Sequence, residues 1–323
     1  MDVREKLESR QVGIYFAAIA VGVIVALLVP EATELEYGIN PALAFMLFVT
    51  FLQVPIRDLG RAISQVRFLG VLLLTNFLIV PLLVAVLVQF LAPDPMIRLG
   101  VLLVLLAPCI DYVVTFAHLG RADGRLLLAA TPALLVVQMI LLPFYLGIFL
   151  GEEAADLVQI GPFVHAFIWL IAVPLILAIL VQVWANRSDT GEKISSVLGL
   201  LPVPATAVVL FVVAAAVVPE LGDAFDSALQ VVPVYVAFAF VAPLLGWFTA
   251  RLFRLDAPAG RAVAFSAATR NSLVVLPLAL AVPNAVPLLP AIIVTQTLVE
   301  LVSELVYVRL APKFGRATST QIV

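Results

Sequence analysis

Apolar residues gather into ten long stretches separated by short polar gaps, at roughly 12–29, 40–56, 68–91, 98–118, 126–150, 162–184, 198–218, 229–253, 262–282 and 288–310. Most are near the length at which a helix crosses the hydrocarbon core of a bilayer, about 20 residues. None alternates apolar with polar at the period of two that the wall of a membrane barrel requires. Backbone amides in lipid find no water to bond, so the stretches are predicted to be helices. The pattern predicts an all-α polytopic membrane protein with ten transmembrane helices.

The polar gaps alternate in charge. Arg4, Lys6 and Arg10 precede the first stretch, and the next gap holds Glu31, Glu34 and Glu36. Basic gaps then recur at Arg57, Arg61 and Arg67, at Arg121 and Arg125, at Arg187 and Lys193, at Arg251, Arg254 and Arg261, and at Arg309, Lys313 and Arg316. Between them lie Asp94, the group Glu152, Glu153 and Asp156, the group Glu220, Asp223 and Asp226, and an uncharged gap at 283–287. Sixteen of the eighteen Lys and Arg residues fall in this alternation. Short cytoplasmic loops retain Lys and Arg, so the basic gaps are expected in the cytoplasm together with both termini. The exceptions are Arg98, at the rim of a stretch, and Arg270, inside one.

The two halves look related. A shift of 163 residues lays Pro41-Ala42 on Pro204-Ala205, Leu47-Phe48-Val49 on Leu210-Phe211-Val212, Arg98 on Arg261, and Pro108 on Asn271. Five spans in each half make the second copy inverted relative to the first, a 5+5 inverted repeat. The expected organisation is a cytoplasmic tail at 1–11, a first five-helix repeat at 12–150, an extracytoplasmic connector at 151–161, a second repeat at 162–310 and a cytoplasmic tail at 311–323.

Composition narrows the class further. The chain is 63% hydrophobic and only 12% charged, which a soluble domain of 323 residues does not accommodate. The single cysteine excludes an internal disulfide. The N-terminal segment mixes acids with bases and lacks a signal-peptide pattern, so the first stretch is expected to remain as a span. No hydrolase, zinc-protease or phosphate-loop motif occurs, so no enzyme is indicated.

Chemistry concentrates where polarity intrudes on apolar stretches, because ionisable groups in lipid are costly and usually functional. The fourth stretch holds Pro108, Cys109 and Asp111 near its middle. Proline removes a donor and crowds the preceding turn, so the helix is expected to break at Pro108. The ninth holds Thr269, Arg270, Asn271 and Ser272 at matching depth, with Pro277 two turns later as its helix-breaking residue. Interrupted helices at matched positions of two repeats point to a transport site. The tenth stretch adds Glu300 and Glu304, four residues apart and so on one helical face. Like charges that close resist double ionisation, which suits a proton carrier. Arg270 stays protonated, and Asp111 is its expected partner, either as a fixed tie or as a pair opened by substrate. Cys109 reads as a small buried hydrophobe or, as thiolate, as a ligand for a soft metalloid. Gln53, Asn76, Thr131, Gln138, Thr295 and Gln296 are expected to make interhelical hydrogen bonds. His118 and His165 are expected at the membrane interface.

These segments together carry a resemblance. LLAPCIDYVVTFAHLGRAD, FLQVPIRDL, NFLIVPLL, FSAATRNSLVVLPLALA and TLVELVSELVYV resemble helices 4, 2, 3, 9 and 10 of arsenite-efflux permeases of the bile acid/sodium symporter superfamily. The resemblance implies ten helices arranged as a panel domain and a core domain, with broken helices 4 and 9 crossing. It also implies a metalloid ligand at Cys109 and a coupling glutamate at Glu300. The family's second essential carboxylate, on helix 9, falls on Leu273 here, so Asp111 and Glu300 would carry the coupling or the substrate would differ.

The first functional expectation is therefore a secondary transporter in a bacterial cytoplasmic membrane, exporting arsenite or a related trivalent metalloid. Cys109, Arg270 and Asn271 would bind solute, while Asp111, Glu300 and Glu304 would couple protons. The alternative is sodium-coupled symport of an organic anion, with Arg270 facing its carboxylate. A third class is a membrane scaffold or sensor subunit. The expected partners are a small inorganic or organic solute and the lipid bilayer, with no nucleic acid and no cofactor beyond a coupling proton or sodium ion; a homo-oligomer stays open.

Overall fold

Helices account for the apolar stretches in three dimensions as well. The structure, a computed structural model, describes residues 3–53, 65–110, 112–151, 160–220, 222 and 224–315. Asp111, Arg57, Arg61, Arg316, Asp223 and most of the 151–161 connector lie outside them. Among the described residues there is no strand, and 85% are helical.

In chain order the helices are α1 (Val3–Leu28), α2 (Glu36–Phe51), α3 (Val66–Phe90), α4 (Pro95–Leu105), α5 (Val113–Leu119), α6 (Gly124–Leu150), α7 (Val164–Ala185), α8 (Asp189–Leu198), α9 (Pro202–Val217), α10 (Ala224–Leu252), α11 (Ala257–Ala268), α12 (Ser272–Leu280) and α13 (Leu288–Leu310). Six are long and apolar enough to cross a bilayer, namely α3, α6, α7, α10, α13 and the Arg10–Leu28 part of α1. A seventh arises if α8 and α9, bent by 43° at the 199–201 link, count as one span. The remaining apolar stretches form α2, with 16 residues, and the short pairs α4–α5 and α11–α12.

Local chemistry sets several of the boundaries. Asp94 caps α4 by accepting from the Met96 and Ile97 amides at 2.8 and 3.1 Å, and Pro95 occupies the first turn, where its missing N–H is not needed. Asp123 caps α6 and Asp256 caps α11 in the same way. Asn271 caps α12, accepting from Val274 at 3.4 Å.

The helices sort into two packed groups. In one, α9 packs against α1 and α2, and α2 packs against α7. In the other, α10 packs against α11 and α13, and α4 packs against α13, α6 and α12. Both groups contain close helix approaches that need glycine. A Cβ on Gly22 would lie 2.7 Å from the Phe211 carbonyl, and one on Gly246 would lie 2.9 Å from the Val263 carbonyl. Large apolar side chains such as Trp169, Leu180, Phe240 and Phe248 project outward and stay exposed, while polar residues are buried inside. That inversion suits a lipid surround.

Candidate functional site

Two chain breaks cross at the centre of the second group. The α4–α5 break runs from Leu106 to Tyr112, and the α11–α12 break from Thr269 to Asn271. Pro108 and Arg270 meet there as an isolated antiparallel bridge. The Cys109 N–H donates to the Thr269 carbonyl at 3.0 Å, and the Asn271 N–H donates to the Ala107 carbonyl at 2.8 Å. Each break thus supplies partners for backbone groups that the other has released from its helix. The sequence pattern suggested exposed amides and carbonyls here; the crossing pairs four of them.

Pro277 is a correction. It sits inside α12 and breaks nothing. The interruption lies upstream, where Thr269 is extended and Asn271 starts a new helix as its cap. A proline this close to a helix start removes one interior hydrogen bond, which neighbouring packing tolerates. The crossing also opposes Pro108 to Arg270, one residue away from the match with Asn271 that a shift of 163 suggests.

Arg270 is fully buried. Its Nη2 donates to Asn76 Oδ1 at 2.9 Å, to the Ser266 carbonyl at 2.5 Å and to the Ala267 carbonyl at 2.8 Å, and its Nη1 faces the Leu105 carbonyl at 3.4 Å. The Phe238 ring lies 5.5 Å from the guanidinium carbon, within reach of a cation–π contact. Asn76 sits in a π turn of α3, Thr75–Ile79, and its Nδ2 also donates to Ser266 Oγ at 2.9 Å. The expected partner Asp111 lies outside the described residues.

Glu300, 3% exposed on α13, lies on the other side of the same break. Its carboxylate accepts from the Arg270 main-chain N–H at 2.7 Å, from the Tyr112 hydroxyl at 2.5 Å and from Gln296 Nε2 at 2.6 Å. Its contact with Arg270 is therefore to the backbone. One turn on, Glu304 is fully buried and accepts from the Thr269 hydroxyl at 2.5 Å; its second oxygen has no hydrogen-bond partner among the described residues. Asn271 Nδ2 and Gln296 Oε1 are likewise buried and unmatched there. Cys109 is fully buried within the break. No group of three His, Cys, Asp or Glu side chains is placed to hold a metal ion among the described residues.

Two spaces border this cluster. A small cleft of about 30 Å³ between the helix groups is lined by Glu8, Gln11, Tyr15, Thr50, Thr206 and Tyr112, among others. A smaller pocket of about 10 Å³, the size of a single water site, touches Glu300, Gln296, Ser303 and Tyr307. Tyr112 lines the first and bonds Glu300, which lines the second.

The structure thus brings Pro108, Cys109, Arg270, Asn271, Glu300 and Glu304 together and leaves Pro277 aside. Tyr112 went unnoticed in the sequence, since an aromatic in an apolar stretch carries no signal of polar function. Asn76 showed only as a polar residue on a span. His118 and His165 are exposed near helix ends.

Comparison with known proteins gives the class. The family model described as the sodium bile acid symporter family matches residues 40–223, from α2 to just before α10. No curated protein matches the chain. The matched stretch is more than half of the 323 residues, and the protein therefore belongs to the sodium bile acid symporter family, whose members are membrane transporters of small solutes.

Proposed function

We propose that the protein is a proton-coupled secondary transporter that exports a small uncharged polar solute, with undissociated arsenous acid, the neutral form of arsenite, as its first substrate. One observation carries this reading. The cleft is small and lined mainly by neutral polar groups, its carboxylate is Glu8, and no Lys or Arg lines it among the described residues. A neutral solute fits such a lining. An organic anion finds no counter-charge in that lining, and the buried Arg270 guanidinium is turned into backbone carbonyls.

The chain's own residues supply the steps. Hydroxyls and amides of the cleft replace water around the solute. Tyr112 connects that surface to Glu300, which borders a second space, so a proton held at Glu300 has neighbours on both sides. Glu304, one turn away on the same helix face, places a second carboxyl group beside it. Cys109 is the soft donor of the break, and a single thiol holds a metalloid loosely enough to release it.

The ten-span topology with an inverted repeat belongs to the same proposal. Several features support an internal offset of 162 residues. Asp94 and Asp256 cap α4 and α11. Pro108 opposes Arg270 through a pair of bonds that a two-fold axis would exchange. The Tyr145 hydroxyl donates to the Phe77 carbonyl and the Tyr307 hydroxyl to the Ala239 carbonyl, each across 68 residues. Rocking of one helix group against the other would then alternate access. Both termini are cytoplasmic in this scheme, in a bacterial cytoplasmic membrane.

The family's description favours a second reading, sodium-driven symport of an organic anion. Expression in a metalloid-sensitive host separates the two. Arsenite efflux predicts lower cellular arsenic, lost in Cys109→Ala. Unchanged arsenic in cells expressing the wild-type protein would reject the substrate assignment, and full resistance in the variant would remove the thiol from the mechanism.

A further inference from the structure

Four oxygen atoms surround one guanidinium at the crossing: the carbonyls of Ser266 and Ala267 and Oδ1 of Asn76 about Nη2, and the carbonyl of Leu105 at Nη1. The three carbonyls belong to the last turns of α4 and α11. Each would pair with an amide four residues on if its helix continued. Those amides are engaged elsewhere: Cys109 N–H with Thr269, Arg270 N–H with Glu300, and Asn271 N–H with Ala107. The crossing thus builds a ring of neutral oxygens at the negative ends of two helices. Such a ring is the donor set of an alkali cation stripped of its water. The C-terminal ends of interrupted helices are also where transporters of this construction hold a coupling ion.

In this protein the ring is already filled by a cation that belongs to the chain. The Arg270 guanidinium is surrounded by all four oxygens, capped by Phe238 and fully buried. It neither deprotonates nor diffuses away. A sodium ion does not fit alongside it, because the same oxygens would have to bind both. We propose that Arg270 is a tethered substitute for a coupling cation: its guanidinium occupies an alkali-cation site, and the transporter runs without sodium. The mechanistic meaning rests on the transporter reading above, but the site itself can be tested without any transported solute.

The experiment is thermal unfolding of the purified full-length protein in detergent, in sodium chloride and in choline chloride of equal ionic strength. The wild-type protein is expected to unfold at the same temperature in both. Arg270→Ala leaves the oxygens facing a void of guanidinium size, so sodium, or free guanidinium at low concentration, is expected to raise its unfolding temperature by about 3 °C or more relative to choline. A side chain that merely caps its own helix would be missed equally in every salt. Sodium stabilisation of the wild-type protein overturns the proposal, as does an Arg270→Ala protein that unfolds identically in all three. Should Arg270→Ala fail to fold, the wild-type salt comparison decides alone, joined by solute flux into proteoliposomes with sodium replaced by N-methylglucamine. Flux unchanged within about twofold is expected, and a tenfold loss refutes the tethered cation. Absence of any flux in either medium counts against the proposed solute instead and leaves the unfolding result standing.

Discussion

The two breaks at the crossing share a backbone and differ in chemistry. At the first break the described residues Ala107 and Cys109 pair their main chain with the second, and Tyr112 donates its hydroxyl to Glu300. At Thr269–Asn271 the same antiparallel bridge carries a buried guanidinium, a capping asparagine and contacts to two glutamates. Among the described residues, the first break frames the crossing and reaches Glu300 through one neutral hydroxyl. The second fills that frame with charge. An interrupted helix is therefore a scaffold whose function depends on which side chain occupies the space it opens.

The largest test of this contrast is Arg270→Met. If the second break were only a frame like the first, an apolar chain of similar length would be tolerated. With the guanidinium gone, four oxygens lose their donor and Glu300 loses the nearby positive charge. A loss of about 3–5 kcal/mol is expected, read as a large fall in unfolding temperature or in folded yield. Retention of wild-type stability would make the two breaks equivalent.

A smaller effect sharpens the difference between the breaks. Tyr112, at the end of the first, holds Glu300 for the second through one hydroxyl. Tyr112→Phe removes a hydrogen bond to a charged group, worth about 1.5–3 kcal/mol. Proton-driven solute flux should fall, and adding Glu300→Gln should make little further difference. Independent, additive losses in a double-mutant cycle would mean that the two residues do not act together.

The smallest expected effect concerns the two prolines. Pro277→Ala restores a donor within an intact helix and should change stability by no more than about 1 kcal/mol. Pro108→Ala places a new N–H at the crossing, next to the backbone pair that holds it. A stability change for Pro277→Ala larger than that for Pro108→Ala would reverse the assignment of the break.

Much of this architecture was legible in the sequence. Every apolar stretch coincides with a helix or a broken pair, because burying or lipid-solvating about 20 apolar residues leaves the backbone no other way to bond its amides. Pro108 lies in the link between α4 and α5, and proline acts on its own backbone. The second break had no such marker. Its cause is a partner: the Asn271 amide turns to Ala107 and the Arg270 amide to Glu300. Pro277 was the nearest breaking signal, and it pointed two turns too far along.

Arg270 shows the same division. Its presence inside an apolar stretch announced a buried charge that needed compensation, and Asp111 was the obvious residue to supply it. Among the described residues its guanidinium bonds to carbonyl oxygens of Leu105, Ser266 and Ala267, and to Asn76. Backbone oxygens are the same at every residue, so no pattern of letters foretells where they gather. The sequence by itself determined which segments are helical, which positions carry charge in an apolar setting and, through the family match, that the protein is a transporter. Only the tertiary structure decided what those charges meet, because crossing two interrupted helices frees carbonyls and amides whose directions depend on both segments at once.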